Sequence, residues 1–317
     1  MAEVYTLDLN FLGIPHVIAS YLIKHRTGAV IVESGPGSTI EGLKAALTPH
    51  DLAVDDITDV LLTHIHLDHA GAAGWLARHG NRGQGANIYV HPTGAPHLLN
   101  PEKLLNSATR IYGEMMDTLW GEFLAVPGDR LIVLQDQQEV AIDGLRFCAL
   151  DTPGHADHHF AYLFEDVCFT GDVGGIRLPG PPHLRVPMPP PEFHLEKWQA
   201  SLRKLESTRC QRIAPTHFGI YGDAEQHWEM LRRGLDEVGQ FMQEVLPSDP
   251  PVEVINDRFA EWTAERSKQQ GLNEDEFAPY EAANPSWMSA TGMQRYWRKY
   301  REGTRQPITE FSKTNVA

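Results

Sequence analysis

The sequence predicts an α/β protein, on three observations. Short apolar, β-branched runs alternate with stretches whose apolar residues recur at helical spacing. One such run, "ITDVLLT" (57–63), leads straight into "HIHLDHAG", which crowds His64, His66, Asp68 and His69 together. A second series of strand-like runs begins at 131 and ends in further histidines and aspartates.

The elements follow in order. "HVIASYLIKH" (16–25) and "GAVIVES" (28–34) are strands split by a turn at Thr27-Gly28. In "GPGSTIEGLKAAL", Ser38 followed three residues later by Glu41 reads as a capping box opening a helix over about 39–47. After the buried strand 57–63, "AGAAGWLARHG" is a short helix and "ANIYVHP" a strand. Residues 93–125 carry Leu104, Leu105, Ile111, Met115 and Leu119 at helical spacing and form a helical insertion. "LIVLQ", "QEVAI", "LRFCALDT", "HFAYLFE" and "VCFTGD" restore the strand pattern, with Cys148 and Cys168 as buried core residues. "RLPGPPHLRVPMPPPEF" (177–193) is too rich in proline for regular structure and is a loop. A helix over about 194–207, the strand "RIAPTH" and a helix from about 223 to 245 follow. The organisation is one domain over 1–250, a folded helical extension over 251–303 rich in aromatic residues, and a frayed tail over 304–317.

Composition narrows the function. The 42 acidic against 27 basic residues leave a formal charge of −15, which argues against nucleic acid and against an anionic membrane surface as partners. No run of about 18 apolar residues suggests a membrane span, and no secretory leader pattern opens the chain. Three widely spaced cysteines make no disulfide framework. The expectation is a cytoplasmic protein acting on a small molecule, with a homodimer as one form it could take.

The histidine cluster carries the chemistry. His64 and His66, two apart in extended chain, project to one side and can grip one ion. Asp68 and His69 in the following turn can reach a second position. Imidazole and carboxylate suit zinc. Four groups from one loop do not complete two sites, and the remaining donors stand at ends of predicted strands: His155 in "DTPGHADHH", Asp172 in "FTGDVGG" and His217 in "APTHFG". Gly154, Gly171 and Gly219 beside them allow the tight turns that aim a ligand inward. Asp157 and His158 read as exposed turn residues.

The ordered set T-H-x-H-x-D-H, T-P-G-H, T-G-D and T-H-F-G, spread over about 15–245, strongly resembles the metallo-β-lactamase-fold hydrolase superfamily, in its glyoxalase II-like or lactonase-like branch. The resemblance implies a four-layer αββα sandwich with a metal site at one edge. It implies that His64, His66 and His155 bind one ion and Asp68, His69 and His217 a second, with Asp172 bridging them. His159 then supports the site without being a ligand. Where the family has Asp-Thr/Ser-Gly at the end of the early strand, this chain has Glu33-Ser34-Gly35. A glutamate can still orient a ligand histidine from behind, through a longer arm. The implied cofactors are two divalent metal ions, zinc foremost, with iron or manganese as alternatives.

Two bridged cations would hold a water and lower its pKa to about 7, supplying hydroxide for attack on an acyl or phosphoryl centre. Asp68 is then both a ligand and the catalytic proton acceptor. The fold hosts many activities, so the substrate rests on exclusions. A zinc β-lactamase of the main subclass would have cysteine in place of Asp172, and nucleases of the fold carry basic surfaces. A metal-dependent hydrolase of an ester, thioester or lactone is favoured, ahead of a mononuclear iron persulfide dioxygenase, a phosphodiesterase or a non-catalytic metal-binding module. The insertion, the proline-rich loop and the aromatic extension could shape a pocket, although packing on the sandwich or against a second subunit is the first expectation for the extension. Arg177 and Arg185 read as solvated loop arginines, with an anionic substrate group as the functional alternative.

Overall fold

Side chains that alternate along the first strands divide between two apolar cores. In the strand Gly28–Val32, Ala29 and Ile31 face one core while Val30 and Val32 face another. In Ala19–His25, Leu22 joins the first and Tyr21 and Ile23 the second. A strand buried on both faces needs a layer on each side, and the chain supplies them. The structure, a computed structural model, describes residues 2–302 and residue 308.

One sheet orders β1 (Val4–Asp8), β2 (Ala19–His25), β3 (Gly28–Val32), β4 (Ile57–Leu61), β5 (Asn87–Val90) and β6 (Leu131–Val133) side by side. Its first three strands are antiparallel, and β3 through β6 run parallel. The second sheet comprises β7 (Gln138–Ile142), β8 (Leu145–Asp151), β9 (Phe160–Phe164), β10 (Val167–Phe169) and β11 (Arg212–Ala214), in the order β11-β10-β9-β8-β7. Only its β10–β11 pairing is parallel.

Against the outer face of the first sheet lie α1 (Ile40–Leu47), α2 (Leu67–Ala70), α3 (Ala73–His79), α4 (Ala95–Leu99), α5 (Glu102–Tyr112) and α6 (Met116–Trp120). The second sheet is covered by α7 (Leu195–Ser207), α8 (Ala224–Val245), α9 (Val252–Gln269) and α11 (Ser286–Tyr300), with α10 (Glu274–Ala283) between the last two. The result is the αββα sandwich: two mixed sheets, helices on both faces, and a helical C-terminal region. Helix α7 shows the logic. Leu195, Trp198, Leu202 and Leu205 make one buried stripe on the second sheet, and truncating Trp198 to alanine should cost about 3–5 kcal/mol.

Several expectations need correction. β1 has no counterpart among the predicted strands; its alternation is short, and only Leu7 is buried. Ser38 does not cap α1, because its hydroxyl donates to the Leu119 carbonyl of the insertion (2.6 Å), and α1 begins at Ile40 after a turn of 3₁₀-helix. Cys168 is buried, but Cys148 is only half-buried because β8 alternates toward the edge. Arg177 and Arg185 are not solvated. Arg177 forks onto Asp223 (2.7 and 2.8 Å), and Arg185 reaches Glu281 (2.7 Å) and the carbonyls of Tyr280 and Asn284. Buried cations persist only with such partners. The extension packs as expected, burying Phe259, Tyr280 and Tyr296. The frayed tail predicted over 304–317 lies outside the described residues, apart from Ile308, which is buried against the α8 side of the core. Among the described residues no helix is long and apolar enough to cross a membrane.

A buried histidine gives the fold a pH dependence. His227 of α8 donates Nε2–H to the Gly174 carbonyl (2.8 Å) and faces the Arg177 guanidinium with Nδ1 (3.4 Å), an arrangement that requires the neutral ring. Burial, helped by Arg177 and opposed by the Gly174 bond, lowers its pKa to about 4. In the unfolded chain the ring titrates near 6.5. The unfolded state therefore binds more protons between these values, so the contribution is intact above pH 6.5 and shrinks as pH falls toward 4. We expect His227→Gln to flatten the loss of stability between pH 7 and pH 5 by about 2 kcal/mol, read from urea midpoints. Identical slopes for the two proteins would show that the ring does not set this dependence.

Candidate metal centre

The apolar strand β4 ends at Leu61, and the chain bends at Thr63 before His66, itself extended (φ −60°, ψ 155°), caps α2. That geometry puts His64 and His66 on one side and Asp68 and His69 one turn on. The other three residues arrive from turns after β8, β10 and β11. Two of those turns require glycine. At Gly154 (φ +143°) a Cβ would lie 2.3 Å from the Trp198 backbone; at Gly171 (φ +51°) it would lie 2.5 Å from the Thr63 hydroxyl.

All seven residues converge as two adjoining sets. In the first, His66 Nδ1 lies 2.9 Å from His64 Nε2 and 3.0 Å from His155 Nε2. In the second, Asp68 Oδ2 is 3.4 Å from both His69 Nε2 and His217 Nε2. Asp172 touches both: Oδ2 is 3.4 Å from His155 Nε2, while Oδ1 is 3.3 Å from His69 Nε2 and 3.5 Å from His217 Nε2. Ligands about 2.0–2.2 Å from a tetrahedral ion are about 3.3–3.6 Å apart, the spacing seen in the second set. His69 Nε2 and Asp172 Oδ1 are buried without a hydrogen-bond partner despite their proximity. Such atoms face a shared point and not each other. The donor set is consistent with a dinuclear metal site.

The imidazoles are aimed from behind. His155 Nδ1 is 3.0 Å from the Pro187 carbonyl, His217 Nδ1 2.7 Å from the Val17 carbonyl, and His69 Nδ1 3.0 Å from Glu33 Oε1. Each partner accepts an Nδ1–H, which turns Nε2 of each ring toward the site. Glu33 is fully buried. Its carboxylate also accepts from the hydroxyls of Thr63 and Thr216 and the Thr63 amide. With these bonds it acts behind the ligands, although it lies close to His64 and His69. Its backbone sits at φ +71°, a strained position for a side-chain-bearing residue that its partners hold in place. His159 is likewise behind the site, bonded to Thr152 (2.9 Å) and accepting from the Val173 amide (3.4 Å).

Electrostatics separate the two sets. Burial and neighbouring imidazoles hold His64 well below its usual pKa, and burial, against the pull of Asp172, lowers His155 to about 3. These rings stay neutral and ready to ligate. Burial opposes charge on His69 and His217 too, but the carboxylates beside them prevail and raise both. Burial alone would raise Asp172, yet His69, His217 and His155 hold it low. The second set thus keeps protons where a cation would compete for the same lone pairs.

The set opens into a cavity of about 260 Å³. Leu104, Ile111 and Tyr112 of α5 form one wall, Pro189–Pro191 another, and Ala283 and Met288 of the C-terminal helices a third. The extension therefore shapes the cleft besides packing on the sandwich. His158 is not the exposed turn residue expected. It is buried, its ring stacks 6.0 Å from that of His64, and it lines the cleft beside Glu192. Asp157 remains half-exposed and pairs with Lys197. Sequence reasoning missed Thr63, Thr216 and Glu192; the threonines that precede His64 and His217 were a readable signal, while Glu192 had none.

Two sheets with converging imidazoles and carboxylates at their edge define a metallohydrolase-type fold. The model of the metallo-beta-lactamase superfamily matches residues 13–217, and the chain belongs to that family. The metallo-beta-lactamase fold-containing protein ST1585 of Sulfurisphaera tokodaii is 24% identical over 222 residues, 68% of this chain and 79% of its own. An atrochrysone carboxyl ACP thioesterase of Aspergillus fumigatus is 29% identical over 65% of this chain; the match spans only 52% of that relative. Among solved structures, the metallo-beta-lactamase family protein TTHA1429 of Thermus thermophilus shares the fold at a TM-score of 0.64, with 21% identity, 95% of this chain and 94% of that one covered.

Proposed function

We propose that the protein is a dinuclear metallohydrolase cleaving an ester or thioester. In this reading His64, His66 and His155 hold one ion, Asp68, His69 and His217 the other, and Asp172 joins them. The observation that carries it is the split of Asp172, one oxygen toward each set. The donor chemistry suits zinc, and a pair of divalent cations held there would supply an acidified water and polarise the scissile carbonyl. The chain's own groups do the rest. Asp68, partly exposed to the cleft while its Oδ2 faces His69 and His217, accepts the nucleophile's proton. The apolar walls seat the acyl portion and exclude water. The apolar cleft and the thioesterases among the relatives support an acyl substrate over a phosphodiester. A single-iron dioxygenase would leave the second set without a role.

The test is metal content together with stability. Protein purified without an affinity tag should carry close to two zinc or manganese ions per chain. Chelation should lower the melting temperature, and zinc at about a thousandfold its dissociation constant should return about 4 kcal/mol for each site filled. The metal-loaded protein should hydrolyse members of an ester, thioester and lactone panel. About one iron per chain with oxygen consumption on persulfides would replace this reading.

A further inference from the structure

Glu192 stands at the end of the proline-rich loop and lines the cleft. One of its oxygens is committed: Oε2 accepts from the Asp157 amide at 3.0 Å and lies 3.2 Å from His158 Nε2. Both partners belong to the turn that carries His155, and His158 in turn accepts the Ile65 amide between His64 and His66 (3.5 Å). The carboxylate is thus fixed relative to the candidate ligands, one imidazole beyond them: the His158 ring is 5.4 Å from that of His66. The other oxygen, Oε1, has no partner among the described residues and is not sealed from solvent. The cleft that Glu192 lines presents Pro189, Pro190, Pro191 and Met288 beside the polar Ser107 and Asn284, and the Lys197 ammonium lies within electrostatic reach of the carboxylate.

We infer that Glu192 Oε1 is a specificity subsite that takes a hydrogen-bond donor, a hydroxyl or a protonated amine, borne by the substrate a few bonds from its scissile carbonyl. The inference rests on the acyl-hydrolase reading and names the substrate class within it. An ionised carboxylate only accepts. A substrate that fills the cleft strips water from Oε1. If it brings a donor, a charge-assisted bond replaces the lost hydration; if it brings none, the carboxylate is left unpaired at a cost. Recognition of this kind discriminates against analogues lacking the donor more sharply than apolar contact does. The alternative role for Glu192 is a strut that only holds the loop, which would affect every substrate alike.

The experiment compares N-acetylcysteamine thioesters of hexanoate, 2-hydroxyhexanoate, 3-hydroxyhexanoate and 3-aminohexanoate on the metal-loaded wild type, Glu192→Ala and Glu192→Gln. Binding of the four product acids is followed in parallel by calorimetry. We expect at least one donor-bearing thioester to exceed the hexanoyl parent in kcat/KM by roughly ten- to a hundredfold, the matching acid to bind more tightly, and both ratios to fall toward one in Glu192→Ala. Preference for the amine over the hydroxyls would identify a cationic substrate. Equal treatment of all four acids by the wild type, or ratios unchanged in Glu192→Ala, would overturn the subsite, as would an equal loss on every substrate. Acid discrimination that depends on Glu192, without hydrolysis of any thioester, would uphold the subsite and overturn the hydrolase reading.

Discussion

We expect Asp172→Asn to bind fewer than two divalent ions per chain and to hydrolyse its substrate at least roughly a hundredfold more slowly than the wild type. The magnitude follows from position. Groups that only orient a ligand cost about 10–100-fold when lost, and Asp172 contacts both sets directly, at 3.3–3.5 Å from His69, His155 and His217. An amide is neutral and presents one acceptor oxygen, so it cannot serve both positions with negative charge. Elemental mass spectrometry of the purified variant separates lost metal from lost chemistry. Two ions per chain and activity within tenfold of wild type would show that Asp172 does not join the sets.

Glu33→Gln should destabilise the metal-free protein by about 3–5 kcal/mol, the range for removing one member of a buried charged pair. The amide would aim donors at Thr63, Thr216 or His69, which already donate to this carboxylate. Metal affinity at the His69 set should fall about 10–100-fold as the ring loses its orienting partner. Glu33→Asp is the more instructive variant. The family's usual aspartate is one methylene shorter and could not reach all three partners from this backbone, so we expect it to weaken the site and not to improve it. Urea unfolding without metal and zinc titration with a competing chelator give the two readouts. A fully stable, tight-binding Glu33→Asp protein would mean that the strand end adjusts to the shorter arm.

Most strands and helices were legible because period-two alternation and stripes on helices are local signals, while the sandwich and the grouping of the seven candidate ligands into two sets followed from the resemblance that their ordered motifs carry. His64, His66, Asp68 and His69 announce themselves by spacing; His155, Asp172 and His217 do so by standing at strand ends. What stayed hidden depends on distant partners. Ser38 looked like a cap until Leu119, 81 positions away, took its hydroxyl. Arg185 looked solvated until Glu281 and two carbonyls of the extension surrounded it. His158 looked like a turn residue because nothing local shows that Glu192 and the His64 ring close over it.

The Pro187 carbonyl that orients His155 lies just ahead of Pro189–Pro191, which wall the cleft. A short, proline-stiffened piece of backbone therefore sets both the aim of a candidate ligand and the shape of the substrate's seat. Changes there propagate to the reaction centre. The walls built by α5 and by the C-terminal helices have no such tether to a candidate ligand among the described hydrogen bonds. Diversification of substrate range in relatives of this chain should therefore concentrate in those helices, while the proline segment stays under the constraint of the chemistry it serves.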